Sequence, residues 1–311
     1  MSRPLVSIVT TSYNHAAFLE ETIESVLAQD YPHIEYLVID DGSTDGSVEI
    51  IRRYADRLTW WASQENRGQT AALNSAFGRA RGDVLNFVNS DDTLLPGAVS
   101  KVVEAFESDP TLVVVYGGVF LTNERSERVE YDGGSEWDVA RMATIAYTPH
   151  QPATFWSRRA WEHARPFNER AWSLFDVEFN LRVATIGPAR HISEPLATFR
   201  LHPESKTMSR HAAMAEECLR CAEEFYGSPS LPPQLRPYAR AGRANLYRRA
   251  ALNYQADREI GRARNLFLRS LLMSTRGLNR KQLIRLSKTL VPAVAVRRRR
   301  GPEGLRTRRD A

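Results

Sequence analysis

Cysteine, membrane-length apolar runs and glycine-rich phosphate loops are what this sequence does without. Its two cysteines, Cys218 and Cys221, cannot build a disulfide framework in 311 residues and suit a reducing compartment. They form a single C-x-x-C inside a helical pattern. No second ligand pair accompanies it, so they read as neighbours on one helix face rather than as a zinc site. The most apolar run, residues 112–121, is far short of the roughly 20 residues that span a bilayer. The opening MSRPLVSIVTTSYNH lacks an apolar core with a small-residue cleavage site, and a cytoplasmic globular protein is expected. No G-x-G-x-x-G follows the first apolar run and no G-x-x-x-x-G-K-[ST] occurs, which argues against a dinucleotide oxidoreductase and a P-loop enzyme. Any phosphate bound here must be neutralised by other means.

What is present is an ordinary globular composition, 42% hydrophobic and 25% charged, with a lopsided charge. Residues 210–311 carry 23 Lys or Arg against 8 Asp or Glu, whereas residues 1–209 are acidic by 10. An acidic body and a basic tail predict two segments with two jobs, divided at 209/210.

The body alternates β-branched runs with helical periodicity. Strands are predicted at residues 5–11, 36–40, 58–62, 83–88 and 112–118. Helices are predicted at 16–27, after the GSTDGS turn, at 70–77 and from Pro96 onward. This spacing implies βαβ units and an α/β fold with a mostly parallel central sheet flanked by helices. Beyond residue 148 a strand at 153–157, a helix near 176–184 and a strand at 195–201 are expected. Helices are then expected at 211–226, 233–254, 260–274 and 280–290, a helical C-terminal region.

Ligands of such sheets bind outside the carboxyl ends of the strands. That rule brings Thr11 to Asn14, Asp40 with Asp41, and the NSDD of residues 89–92 onto one rim, although they are far apart in the chain. Adjacent carboxylates such as Asp91 and Asp92 repel each other at the end of a buried strand unless a cation is expected there. Hard oxygen ligands suit Mg²⁺ or Mn²⁺, usually shared with substrate phosphates.

The stretches SIVTTSYNHAAFLEETIESVLAQDYPHIEYLVIDDGSTDGS and ENRGQTAALNSAFGRARGDVLNFVNSDDTLLPGA carry a resemblance. Residues 4 to about 209 resemble the nucleotide-sugar domain of inverting family 2 glycosyltransferases with the GT-A fold, a Rossmann-like sheet. The resemblance implies that Thr11 and Tyr13 lie along the nucleotide base, with Tyr13 stacking on it. It implies that Asp41, with Asp40 beside it, accepts the base N–H, and that Arg67 and Gln69 approach the nucleotide. NSDD matches the family's DXD metal motif: Asp91 would contact ribose or metal and Asp92 would ligate the metal through the donor diphosphate. Asn89 departs from the acidic form of that motif. His202, in FRLHPESKT, resembles a family histidine near the metal and diphosphate, and His150, in TPHQPATFW, precedes a strand resembling one near the acceptor site.

Inverting transfer needs a carboxylate that takes the proton of the acceptor hydroxyl. WSLFDVEFNLRVA offers Asp176 and Glu178, about 200° apart on a helix, so only one can face the site. The residues alone do not choose between them. The family's base motif, an aspartate six residues before an arginine, matches Asp176 before Arg182, and Glu178 becomes an acceptor-side or structural residue. Phe155, Trp156 and Trp161 are expected in the core.

The implied activity is metal-dependent, inverting transfer from a nucleoside diphosphate sugar, UDP-linked, to a cell-surface polysaccharide or lipid-linked glycan. A sugar nucleotidyltransferase would need a glycine-rich basic loop where TTSYNH stands. An inactive nucleotide- or glycan-binding module is the other alternative. In the tail, residues 245–273 faintly resemble one tetratricopeptide unit, which would have to pack on the body. Residues 281–300 mix an apolar stripe with cations. They suit an anionic cytoplasmic leaflet, at about 1 kcal/mol per Lys or Arg. No nucleic-acid recognition motif is present.

Overall fold

The structure, a computed structural model, describes residues 3–203, 205, 210–275 and 283–284. Its centre is a nine-stranded mixed sheet ordered β3-β2-β1-β4-β8-β6-β9-β5, with β7 paired to β6. β1 (Val6–Ser12), β2 (Ile34–Asp40), β3 (Trp60–Ser63) and β4 (Val84–Phe87) are parallel throughout. All seven β1 residues are buried, as a parallel strand covered on both faces requires.

The second half of the sheet is mixed. β6 (Val114–Thr122) pairs parallel with β9 (Ala189–Arg200) and antiparallel with β8 (Thr154–Ser157), which also runs antiparallel to β4. β5 (Thr93–Leu94) and β7 (Arg128–Asp132) complete the sheet. These two escape the sequence pattern for different reasons: β5 is only two residues long, and every residue of β7 is exposed, so no alternation marks it. β9 begins at Ala189, earlier than the expected 195, and its pairing with β6 is irregular around Gly117 and Gly118.

Helices cover both faces. On one side α1 (Ala16–Leu27) buries Leu19, Ile23 and Val26, and α4 (Ala98–Ser108) buries Val99, Val102, Val103 and Phe106. On the other, α3 (Gln69–Phe77), α6 (Arg158–Ala164) and α7 (Phe175–Val183) enclose an aromatic core that includes Phe77, Phe87, Trp156, Trp161 and Phe167. Phe155 is buried on the first side. Two short helices, α2 (Ser47–Arg53) and α5 (Val139–Ala143), complete the body.

Beyond residue 209 the chain forms the helices His211–Arg220, Ala239–Ala256 and Ile260–Met273. A third core joins them to the body: Leu174, Val177 and Leu181 of the α7 region and Met142 and Ala143 of α5 pack with Ala215, Cys218, Cys221, Leu246, Tyr247 and Ala250. Gly242 allows this approach, because a Cβ there would stand 2.6 Å from the Ala143 carbonyl oxygen. The helix expected at 280–290 and the segment 281–300 lie outside the described residues, apart from Leu283 and Ile284.

Candidate functional site

The parallel register sets the rim. Ser12 at the end of β1 pairs with Asp40 at the end of β2, and Val9 with Phe87 of β4, so the three polar clusters leave the sheet on one edge.

Each cluster is tied to the next by hydrogen bonds. Asp40 is fully buried, and its Oδ2 accepts from Gly42 N (3.2 Å), Ser43 N (3.1 Å) and Ser63 Oγ (2.9 Å). It therefore shapes the DDGS turn, in which Gly42 holds a φ of +85°. Asn14, itself left-handed at φ 53°, clamps that turn to β1: its N–H donates to Ser43 Oγ and its Oδ1 accepts from Thr44 N.

Asp41 faces the loop of residues 64–68. Its Oδ1 accepts from Gln64 Nε2 (2.8 Å) and Arg67 N (3.0 Å), and its Oδ2 from Gly68 N (2.8 Å). A carboxylate has about four acceptor positions, which leaves one on Oδ2. Arg67 enters this arrangement through its backbone, while its side chain is exposed. Thr11 is buried and Tyr13 is 48% exposed, a ring presented to solvent at the rim.

Gln69, the first residue of α3, crosses to the third cluster, its Nε2 donating to Asn89 Oδ1 (2.7 Å) and more weakly to Thr11 Oγ1 (3.5 Å). Asn89 donates in turn to Asp92 Oδ2 and to Gln151 Oε1, both at 3.2 Å. The neutral residue that departs from the acidic motif is thus a junction of the rim.

The two aspartates of NSDD part company here. Asp92, expected at the metal, is turned into the protein: it is 2% exposed, and its Oδ1 accepts from Arg200 N (2.9 Å). Burial, followed by the charge of Asp91, pushes its pKa well above the ordinary carboxylate value. Each of its oxygens accepts one hydrogen bond from within the protein, Oδ1 from Arg200 N and Oδ2 from Asn89 Nδ2. Asp91 stays half-buried, with Oδ2 3.0 Å from His202 Nε2. His15 approaches from the start of α1, Nδ1 2.8 Å from Ser90 Oγ, its ring edge-on to His202. His15, Asp91 and His202 each offer a ligand atom, all within 4.8 Å of one another. Two imidazoles and a carboxylate fit a divalent transition ion such as Mn²⁺ better than Mg²⁺, which prefers oxygen alone.

Arg200 is the keystone beneath this group. Its buried guanidinium donates to the Asp91 carbonyl (2.8 Å), Ser126 Oγ (2.8 Å) and Glu21 Oε2 (2.7 Å), and it lies over the Phe18 ring. Arg200, His15 and Gln151 carry no sequence motif of their own, although each stands within two residues of a candidate legible in the sequence: His202, Tyr13 and His150.

Farther along the sheet, α7 carries the two candidate bases on different faces. Asp176 is half-buried, with Oδ1 accepting from Val177 N (2.9 Å). Glu178 is 1% exposed and accepts from Asn168 Nδ2 (2.9 Å) and from Arg220 of the C-terminal region. Arg182 binds the Ala164 and Pro166 carbonyls rather than either carboxylate. His150 pairs with Asp132 of β7 at 3.0 Å.

A sequence profile described as Glycosyl transferase family 2 matches residues 7–168. Chondroitin synthase of Escherichia coli is 31% identical over 213 residues, 67% of this chain and 30% of that protein. Hyaluronan synthase of Pasteurella multocida is 30% identical over 67% of this chain and 21% of its own length. The chain thus spans less than a third of these two synthases. An uncharacterised glycosyltransferase of Nostoc is 28% identical, with 68% of this chain and 69% of that one covered. Among solved structures, Staphylococcus aureus TarS residues 1–349 in complex with UDP superposes with a TM-score of 0.54 at 17% identity, over 85% of this chain and 90% of that one. A mannosyltransferase of Pyrobaculum calidifontis in complex with GDP-Man and Mn²⁺ gives 0.57 at 20% identity, over 93% and 85%. At these identities the likeness is one of fold, a mostly parallel, curled GT-A sheet flanked by helices.

Proposed function

The chain belongs to glycosyl transferase family 2 and is a glycosyltransferase, and from that premise we propose that it transfers a sugar, with inversion, from a UDP-sugar to a glycan. The observation that carries this reading is the linked rim: Asp41 holds Gly68 beside Gln69, Gln69 bonds Asn89, Asn89 bonds Asp92, and Arg200 ties Asp92 to the turn of Asp91, which meets His202 and His15. Tyr13 stacks on the base, the remaining acceptor position of Asp41 takes a base N–H, and Thr11, Arg67 and Gln69 border the nucleotide. Nucleotide and nucleotide-sugar complexes of the fold neighbours support a donor of this kind.

Asp91 and His202, with His15, are the residues that would hold a divalent cation. When bound, such an ion supplies positive charge for the departing diphosphate. Asp176 takes the proton of the acceptor hydroxyl as that oxygen attacks the anomeric carbon. Glu178 is shut inside the fold by Asn168 and Arg220 and has no route to an acceptor.

The acceptor is a cell-envelope polysaccharide or its lipid-linked precursor; the names of two curated relatives, chondroitin synthase and hyaluronan synthase, support the polysaccharide part of this reading. Residues 1–209 form the transferase domain and residues 210–311 a basic C-terminal region, helical at 211–220, 239–256 and 260–273, whose segment 281–300 rests on the anionic inner face of the membrane. No helix among the described residues is long and apolar enough to cross a membrane.

The test is isothermal titration of the chain with UDP, GDP, dTDP and CMP, in Mn²⁺ and in chelator. UDP binding that needs Mn²⁺ and is lost in Asp91→Asn is the expected result. Absence of binding by any of the four would overturn the donor reading.

A further inference from the structure

α7 begins without a cap of its own. The residue at its N-cap position is Leu174, whose side chain cannot accept a hydrogen bond, and the first backbone N–H groups of a helix have no partner within it. A carboxylate of the C-terminal region instead holds the two amides that lead into the helix, those of Ser173 and of the N-cap residue Leu174. Glu217, buried in the helix His211–Arg220, places Oε1 3.1 Å from Leu174 N and 3.3 Å from Ser173 N. A carboxylate at this end of a helix also opposes its positive dipole terminus.

Glu217 is itself held in place. Arg220, one turn later, donates to Glu217 Oε2 at 2.9 Å from Nε, and its Nη2 bridges Glu217 Oε1 and Glu178 Oε1. Two buried carboxylates from two helices thus share one guanidinium, with Glu178 on the inner face of α7 and Glu217 at its start. Asp176 lies between these two anchor points in sequence, on the same first turn.

We propose that Glu217 and Arg220 are positioning residues for catalysis: the C-terminal helix fixes the first turn of α7 and thereby the place of the Asp176 carboxylate in the site. This rests on the reading of Asp176 as the base. It gives the C-terminal region a part in the chemistry that is independent of any membrane contact.

A double-mutant cycle separates the two ideas. Turnover is read as release of the nucleotide identified by titration from a panel of its sugar-linked forms, in wild type, Glu217→Ala, Asp176→Asn and the double variant. Glu217→Ala is expected to lower kcat by about 10²-fold, the scale of a roughly 1 Å misplacement, with donor affinity unchanged. Glu217→Gln, which keeps a neutral acceptor oxygen for the two amides, is expected to recover part of that loss. In the Asp176→Asn background the Glu217→Ala effect should disappear. Equal losses in both backgrounds would overturn the positioning role and leave the base reading intact, whereas an unimpaired Asp176→Asn enzyme would sink the base reading itself. Amide hydrogen exchange supplies a check that needs no turnover. Ser173 and Leu174 N–H should be protected in wild type and exposed in Glu217→Ala, and unprotected wild-type amides would refute the cap directly.

Discussion

The donor rim and the base helix are built on opposite plans. The rim is assembled from strand ends that a parallel sheet brings into register: Asp40 bonds its own turn at Gly42 and Ser43, Asp41 bonds the loop of residues 64–68 beyond the adjacent strand, and the NSDD turn is held by Arg200 and His202 at the end of β9. The base helix is fixed from a distance, because the start of α7 at residues 173–174 is held by Glu217 more than 40 positions later. Damage to the rim should therefore act on donor binding and local stability, and damage to the base side on turnover with donor binding spared.

The largest effect sharpens that contrast at its catalytic end. Asp176→Asn should reduce turnover by about 10²–10⁴-fold, the usual range for loss of a general base, and leave the UDP isotherm unchanged. A parallel loss of UDP affinity would show that the two regions are not separable.

On the rim, Arg200→Met strips the Asp91 carbonyl, Ser126 and Glu21 of one shared, charged donor. Hydrogen bonds to a charged group contribute about 1.5–3 kcal/mol, so a stability loss of that order is expected by urea denaturation, along with weakened Mn²⁺-dependent UDP binding. Unaltered nucleotide binding would mean that the Asp91 turn stands without its keystone. His15→Ala, a smaller change, should weaken Mn²⁺ dependence by about 10-fold while metal-free binding persists, if removing one of three donors costs what loss of a metal-site partner typically does. Titration in Mn²⁺ and in chelator reads both.

The two plans also explain what could be read from the sequence. Most of the sheet was legible because β1, β2 and β4 are buried runs of β-branched and aliphatic residues. The rim was legible because its residues cluster within a few positions of those strand ends. Within the NSDD motif nothing in the residue pattern tells which aspartate turns inward. That depends on Arg200 N arriving from β9, more than 100 residues away, to occupy Asp92 Oδ1. β7 and the two-residue β5 carry no periodic signal. The Asp176–Glu178 ambiguity is of the same kind: two carboxylates on one turn look alike until Arg220 claims one of them.

The smallest expected effect probes that long-range clamp through pH. Burial alone would raise the pKa of Glu217, but the Arg220 guanidinium and the Leu174 and Ser173 N–H groups outweigh it and hold the carboxyl below its usual value. A group whose folded pKa is depressed contributes stability above its unfolded pKa of about 4.3, and that contribution is lost as pH falls through the lower folded value. Wild type should therefore exceed Glu217→Gln by about 1–2 kcal/mol at pH 7 and at pH 5.5, with the gap narrowing below about pH 4.5. Glutamine does not titrate, so the narrowing isolates this one carboxyl from the others in the chain. Urea denaturation of both proteins across that range measures it. A gap that stayed constant to pH 3.5 would mean that Glu217 holds α7 by shape and hydrogen bonding alone, and that its charge adds nothing to the fixing of the base helix.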